Sequence, residues 1–214
     1  MSLKTFNTNR YFSIIGSLGF KGTKDLLKER ICSMDYYYVL EKKIENSLIV
    51  DIKGNYEIGR LSEVDIINLK KQLKLLDQLS RREILARLVF YSNGFKNCYV
   101  AKNDSGEIAY IQWLVFPYEN MLIQKKYSRL FYPLRRNQIM IENAFTFPKF
   151  RGRGLLPYVT LELLQIARKH GCAKAISYIR KDKIAALNEF MKIGFRIRKI
   201  VKEYKILGYK RRNL

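Results

Sequence analysis

Residues 147 to 157, Phe-Pro-Lys-Phe-Arg-Gly-Arg-Gly-Leu-Leu-Pro, set two glycines and two arginines between an extended stretch and a helical one. A helix begins with unpaired amides at the positive end of its dipole, and glycines let an anion approach the backbone before it. Arg151-Gly152-Arg153-Gly154 can therefore seat a phosphate or diphosphate without a dedicated lysine. The turn is not a Walker motif, since no Gly-Lys-Ser/Thr follows, nor the dinucleotide fingerprint, since Pro157 stands three residues after Gly154. A glycine turn before a helix is common, so its surroundings have to decide. Other reactive types are sparse. Cys32, Cys98 and Cys172 are widely spaced, form no C-x-x-C pair and have a single histidine, His170, to join them. No metal site is expected, and the thiols read as reduced and mostly buried in a cytoplasmic protein. Glu142 is the only carboxylate between Glu119 and Glu162.

The elements that must hold these residues follow from hydrophobic spacing. Thr23 could cap a short helix over 23–31, and the aromatic start of 36–44 favours a strand. Lys53-Gly54-Asn55 reads as a turn between two extended pieces in 48–61. Val64, Ile67, Leu69, Leu73, Leu76 and Leu79 recur at helical spacing from Ser62, and Ile84, Leu85, Leu88 and Val89 repeat it over 81–92. Residues 97–116 read as a hairpin with its turn at Asn103-Asp104-Ser105-Gly106, and 138–147 as a strand stopped by Pro148. Beyond the glycine turn comes a largely buried helix, with Pro157 in its first turn and Gly171 at its end. A strand over 173–180, a helix capped by Asp182 and closed by Gly194, and one or two final strands complete the chain.

Strand, glycine turn, helix, strand, helix, strand is the context in which Phe145-Thr146-Phe147-Pro148-Lys149-Phe150-Arg151-Gly152-Arg153-Gly154-Leu155-Leu156 stands. This resembles the GNAT superfamily of acyl-CoA-dependent N-acyltransferases, whose diagnostic stretch runs apolar strand, Pro, x, aromatic, then R/Q-x-x-G-x-G/A into a helix. A second family signature, aromatic-x-x-x-Gly-Phe, is matched by Phe190-Met191-Lys192-Ile193-Gly194-Phe195. The resemblance runs from about Asn97 to the C-terminus. It implies an α/β fold with a mixed, mostly antiparallel sheet of six to seven strands, flanked by helices and holding a splayed parallel pair. It implies an acetyltransferase domain over 56–214, with 1–55 as an extension packed on it. The amides of Arg151, Gly152, Arg153, Gly154, Leu155 and Leu156 would hold the pyrophosphate of coenzyme A, and Ala144, Phe145, Thr146 and Phe147 would pair with its pantetheine arm. The co-substrate would be acetyl-CoA, attacked directly by an amine, with no metal.

Three positions depart from the family pattern. Leu156 replaces the usual Gly or Ala. Lys183 stands where many members have a cofactor-touching Asn. Phe190 stands where many have a tyrosine that protonates the leaving thiolate. Tyr178 is the nearest substitute acid, with a packing role as the alternative. Glu142 is the candidate base or amine anchor, the alternative being an ordinary solvated or salt-bridged glutamate at the strand's open end.

The chain has 214 residues, 48% of them hydrophobic, which suits one well-buried domain, and no apolar run approaches the roughly 20 residues that cross a bilayer. Residues 11–20 read as a packed or interfacial segment. A formal charge of +22 favours anionic partners: a nucleic acid, an anionic membrane surface, an acidic carrier protein or a phosphorylated small molecule. The resemblance favours a small-molecule amine, phosphorylated or nucleotide-linked, over nucleic acid. A non-catalytic coenzyme A sensor and a basic nucleic-acid-binding module are the competing readings.

Overall fold

The computed structural model describes residues 32–45, 52–206 and 209–214. The segment at 11–20 and the helix expected at 23–31 lie outside the described residues. Strands β1 (Cys32–Lys43) and β2 (Glu57–Arg60) precede helices α1 (Glu63–Leu75) and α2 (Gln78–Ser92). Hairpin strands β3 (Cys98–Lys102) and β4 (Ile108–Val115) follow, and a short irregular helical segment spans 117–127. Then come β5 (Gln138–Thr146), α3 (Leu155–Lys169), β6 (Lys174–Arg180), α4 (Ile184–Lys192), β7 (Arg196–Ile206) and β8 (Tyr209–Arg212).

Local chemistry explains most boundaries. Ser62 and Asp65 form a reciprocal capping box at the start of α1, and Asp77 accepts from the Ser80 amide to start α2. Gly171 and Gly194 take positive φ, +79° and +90°, just past α3 and α4. Asp182 does not cap α4 as expected. Its carboxylate is bidentate to Arg180, at 2.5 and 2.6 Å, and the N-cap residue Lys183 offers no side-chain bond. That ion pair competes directly with the free amides of the helix.

The strands form one sheet in the order β2-β3-β4-β5-β6-β1-β7-β8, parallel only between β5 and β6. It has eight strands where six to seven were expected. β1 is the reason for part of the difference. This first strand among the described residues lies between β6 and β7, pairing with one from Tyr37↔Arg180 to Lys43↔Lys174 and with the other from Cys32↔Ile206 to Glu41↔Arg196. The sheet thus draws on both sides of residue 55, and Leu40 of β1 is fully buried. β4 is buried throughout, and Trp113 donates to the Phe95 carbonyl at 3.0 Å, a core role. α3 buries Leu155, Val159, Leu163, Leu164 and Ala167 against the sheet. In α1 and α2, by contrast, Val64, Ile67, Leu79, Leu85 and Val89 remain exposed, and Leu69, Leu73, Ile84 and Phe90 supply the packing. No helix among the described residues is long and apolar enough to cross a membrane.

Candidate active site

The Arg-Gly-Arg-Gly turn forms as its residue types require. Pro148–Phe150 make one 3-10 turn, Arg151 is extended, and Gly152 and Gly154 adopt φ of +73° and +78° before α3 begins at Leu155. An added Cβ on Gly152 would meet nothing within 4 Å, so glycine is needed there for its conformation rather than for space. Among the described residues the amides of Gly152, Arg153, Gly154, Leu155 and Leu156 have no hydrogen-bond acceptor; the Arg153 carbonyl accepts from Lys53 at 3.2 Å. The adjacent cations are partly engaged. Lys149 pairs with Glu107 at 2.8 Å, Arg153 lies 5.3 Å from the Phe150 ring, and Arg151 lies 5.9 Å from that of Phe145. Leu156 is half-buried at the helix start.

β5 supplies the slot leading from this turn. It pairs with β6 only at Gln138↔Lys174, Ile139↔Ala175 and Met140↔Ile176, after which the two strands part. A bulge drives the parting. The register between β4 and β5 shifts between Ile111 and Trp113, and Asn143 takes φ of +59°, a left-handed value rare outside glycine. Arg87 of α2 fastens the bulge, its Nε donating to the Asn143 carbonyl at 3.0 Å and its Nη2 to that of Ala144 at 3.1 Å. Phe145 and Thr146 pair with β4 on one edge and with no strand on the other. Phe147 donates its amide to Ala109 and buries its ring.

The structure brings Glu142 and Tyr178 together at the fork. Glu142 Oε1 accepts from the Tyr178 amide at 2.9 Å, bridging the strands where their ladder ends. Burial pushes the Glu142 carboxyl up to about 7, against the opposing pull of Arg212, of the Tyr178 and Asn143 amides and of Arg87. Glu142 thus differs from a fully solvated strand-end glutamate in its half-buried place and its bond to the Tyr178 amide. The Tyr178 hydroxyl accepts from the Tyr132 amide at 3.2 Å, and burial pushes it up to about 12. Its own proton remains available to a further acceptor.

Two expected contacts turn elsewhere. Lys183 reaches Glu83 of α2 at 3.1 Å, and Phe190 is buried edge-on against Phe195 with centroids 4.9 Å apart, so it is a core ring. His170 Nδ1 lies 2.9 Å from the Ile166 carbonyl at the end of α3. Cys98 and Cys172 are free and buried.

Sequence reasoning missed the wall behind Tyr178. Arg212 of β8 is buried, its guanidinium 3.8 Å from the Tyr37 ring centroid and 5.1 Å from that of Tyr178, with Nε on Glu203 at 2.9 Å. It also binds the covering segment, donating from Nη1 to Leu130 and from its amide to Arg129. The signal was present: Glu203 is the lone acid in a basic tail, and an acid on the core side of a strand needs a partner. Arg87 left no such sign.

This architecture, an eight-stranded sheet whose single parallel pair splays beside a glycine turn, is the GNAT acetyltransferase fold. A GCN5-related glucosamine N-acetyltransferase region of a fungal multi-domain GH3 β-N-acetylglucosaminidase superposes with a TM-score of 0.56 at 10% identity, over 85% of this chain and 22% of that one. A GCN5-related N-acetyltransferase from Sphaerobacter thermophilus gives 0.52 at 11%, over 87% and 56%, and a GNAT-family acetyltransferase from Colwellia psychrerythraea 0.51 at 10%, over 86% and 61%. The chain spans less than two thirds of the length of each. No protein-family model matches the sequence, and no curated protein matches it. At these identities the likeness is one of fold.

Proposed function

We propose that the chain is an acyl-CoA-dependent N-acyltransferase that moves an acetyl group from acetyl-CoA to the primary amine of a small, negatively charged acceptor in the cytoplasm. The reading rests above all on the fork between β5 and β6, with half-buried Glu142 at it and the amide-lined turn beyond β5. The amides of residues 152–156 would take the pyrophosphate, that of Arg151 being engaged by the Pro148 carbonyl at 3.3 Å, with the Arg151 and Arg153 side chains adding charge-assisted contacts. The open edge of β5 from Ala144 to Phe147 would take the pantetheine amides. Acetyl-CoA supplies the activated acyl carbon as a thioester.

The remaining chemistry falls to the chain. A carboxyl titrating near 7 is matched to its task, because it is substantially ionised at neutral pH yet basic enough to take the ammonium proton, directly or through water. The amine nitrogen then bonds to the acyl carbon as the carbon–sulfur bond breaks, and its second surplus proton leaves to solvent. The departing thiolate takes its proton from the Tyr178 hydroxyl or from solvent, since Phe190 has none to give. The cationic surface raises the local concentration of an anionic acceptor, such as a phosphorylated or nucleotide-linked amine.

Two measurements test this. Acetyl-CoA should raise the melting temperature, and a panel of phosphorylated and nucleotide-linked amines should release free thiol in its presence. Stabilisation without thiol release would indicate a coenzyme A sensor. No stabilisation at all would overturn the transferase reading.

A further inference from the structure

The corner between α1 and α2 holds two leucines in solvent. α1 turns Asp65, Leu69 and Leu73 inward and carries Ile67, Lys71 and Leu75, at i, i+4 and i+8, along its outer side. Leu75 is 88% exposed and Leu79, in the first turn of α2, 69% exposed. The corner is not frayed. Arg81 donates from Nε to the Leu73 carbonyl at 2.9 Å and from Nη2 to those of Lys74 and Leu76 at 3.1 and 3.0 Å, and Asp77 caps α2 with an exposed carboxylate that its bonds from Ser80 hold below the usual carboxylate range. The two leucines thus flank a corner fastened by Arg81 and the Asp77 cap. Lys70, Lys71 and Lys74 of α1 and Arg82 of α2 lie within five residues of one or other leucine in sequence, and among the described residues none has a carboxylate within salt-bridge distance. Glu83, the next acid, is turned toward Lys183 and Arg87.

We propose that this corner docks on an anionic lipid bilayer, Leu75 and Leu79 entering the boundary between headgroups and acyl chains while the four cations meet the lipid phosphates and carboxylates. The inference does not rest on the transferase reading. Its occupant follows from the combination of features. A polynucleotide would satisfy the cations but leave the leucines in water. A second copy would cover the leucines but oppose two unpaired cation clusters. A folded acidic protein would need a concave mate for two protruding side chains, whereas a fluid bilayer closes around a convex point and offers negative charge at the same depth.

The test is co-sedimentation of the full chain with phosphatidylcholine vesicles, with and without phosphatidylserine. Binding is expected only with phosphatidylserine. Replacing both Leu75→Ser and Leu79→Ser should weaken it about tenfold or more, with the melting temperature unchanged because both side chains are already exposed. Reversing Lys70→Glu and Lys71→Glu should weaken it far more than the same charge change at Lys210→Glu and Arg211→Glu on β8. In a Leu75→Trp variant, added phosphatidylserine vesicles should shift indole emission to the blue. The proposal is overturned by no binding to phosphatidylserine vesicles, by binding indifferent to the leucines, by equal losses from the two charge reversals, or by a dimer in solution that the leucine replacements dissolve.

Discussion

Replacing Glu142 by Gln separates what the carboxylate does for chemistry from what it does to stability. Gln keeps an oxygen for the Tyr178 amide, now 2.9 Å away, but cannot take up a proton. In the native fold burial moves the carboxyl from its ordinary 4.5 to about 7. A carboxyl raised on folding binds more protons folded than unfolded, so its protonated form is favoured below about 4.5 and stability is lost as pH rises toward 7. At about 1.36 kcal/mol per pH unit, the ionised form costs the fold about 3 kcal/mol at pH 8. Glu142→Gln lacks that cost. It should match the native protein at pH 4.5 and exceed it at pH 8 by up to about 3 kcal/mol, or about 6–12 °C in Tm for a chain of this size. Turnover should meanwhile fall about 10²- to 10⁴-fold and lose the rise in rate between pH 6 and 8. Urea unfolding at the two pH values, beside a pH–rate profile, reads both effects. A variant less stable than the native protein at pH 8 would mean that Arg212 and Arg87 hold Glu142 ionised throughout, and the base assignment would fail.

Three further perturbations probe the surrounding parts. Gly152→Ala forces a side chain into φ of +73° with no clash to relieve, so it should cost about 1–2 kcal/mol and weaken the thermal stabilisation by acetyl-CoA; unchanged stabilisation would remove the turn from the binding site. Tyr178→Phe should lower kcat while leaving KM for acetyl-CoA unchanged, and native kcat would leave solvent as the proton source. Arg212→Ala strands a buried carboxylate at Glu203 and should cost about 3–5 kcal/mol by urea denaturation, most of it recovered when Glu203→Leu is combined with Arg212→Met; a loss below about 1 kcal/mol would refute the pairing.

The glycine turn was legible because its signal is local. Arg-Gly-Arg-Gly, the following Pro157 and the helix periodicity lie within a few residues of one another, and glycine conformations there follow from residue type. The hairpin at 98–115 and the strand–helix alternation after Gln138 were legible for the same reason. Strand order was not. Nothing in 32–43 states that it will pair with both 174–180 and 196–206, since backbone ladders carry little side-chain information. Asp182 misled because a carboxylate beside a helix start serves as a cap or an ion pair, and Arg180 two residues away decided which. The apolar spacing in α1 and α2 pointed to helices correctly but not to which apolar residues would be covered, and Leu75 and Leu79 stayed in solvent.

The inserted strand ties these separate outcomes to the site. β1 contributes Tyr37, whose ring faces Arg212, and Val39, which pairs with Tyr178. β7 contributes Glu203 and β8 Arg212, and both reach the fork only because β1 fills the place between β6 and β7. The wall behind Tyr178 therefore combines residues near 37 with residues beyond 200, and the field that partly offsets the burial of Glu142 comes from the far end of the chain. A sheet ending at β6 would leave Glu142 its partner amide but not the nearby guanidinium. Desolvation would then be less opposed, and the carboxyl would titrate above the neutral range in which a base is useful.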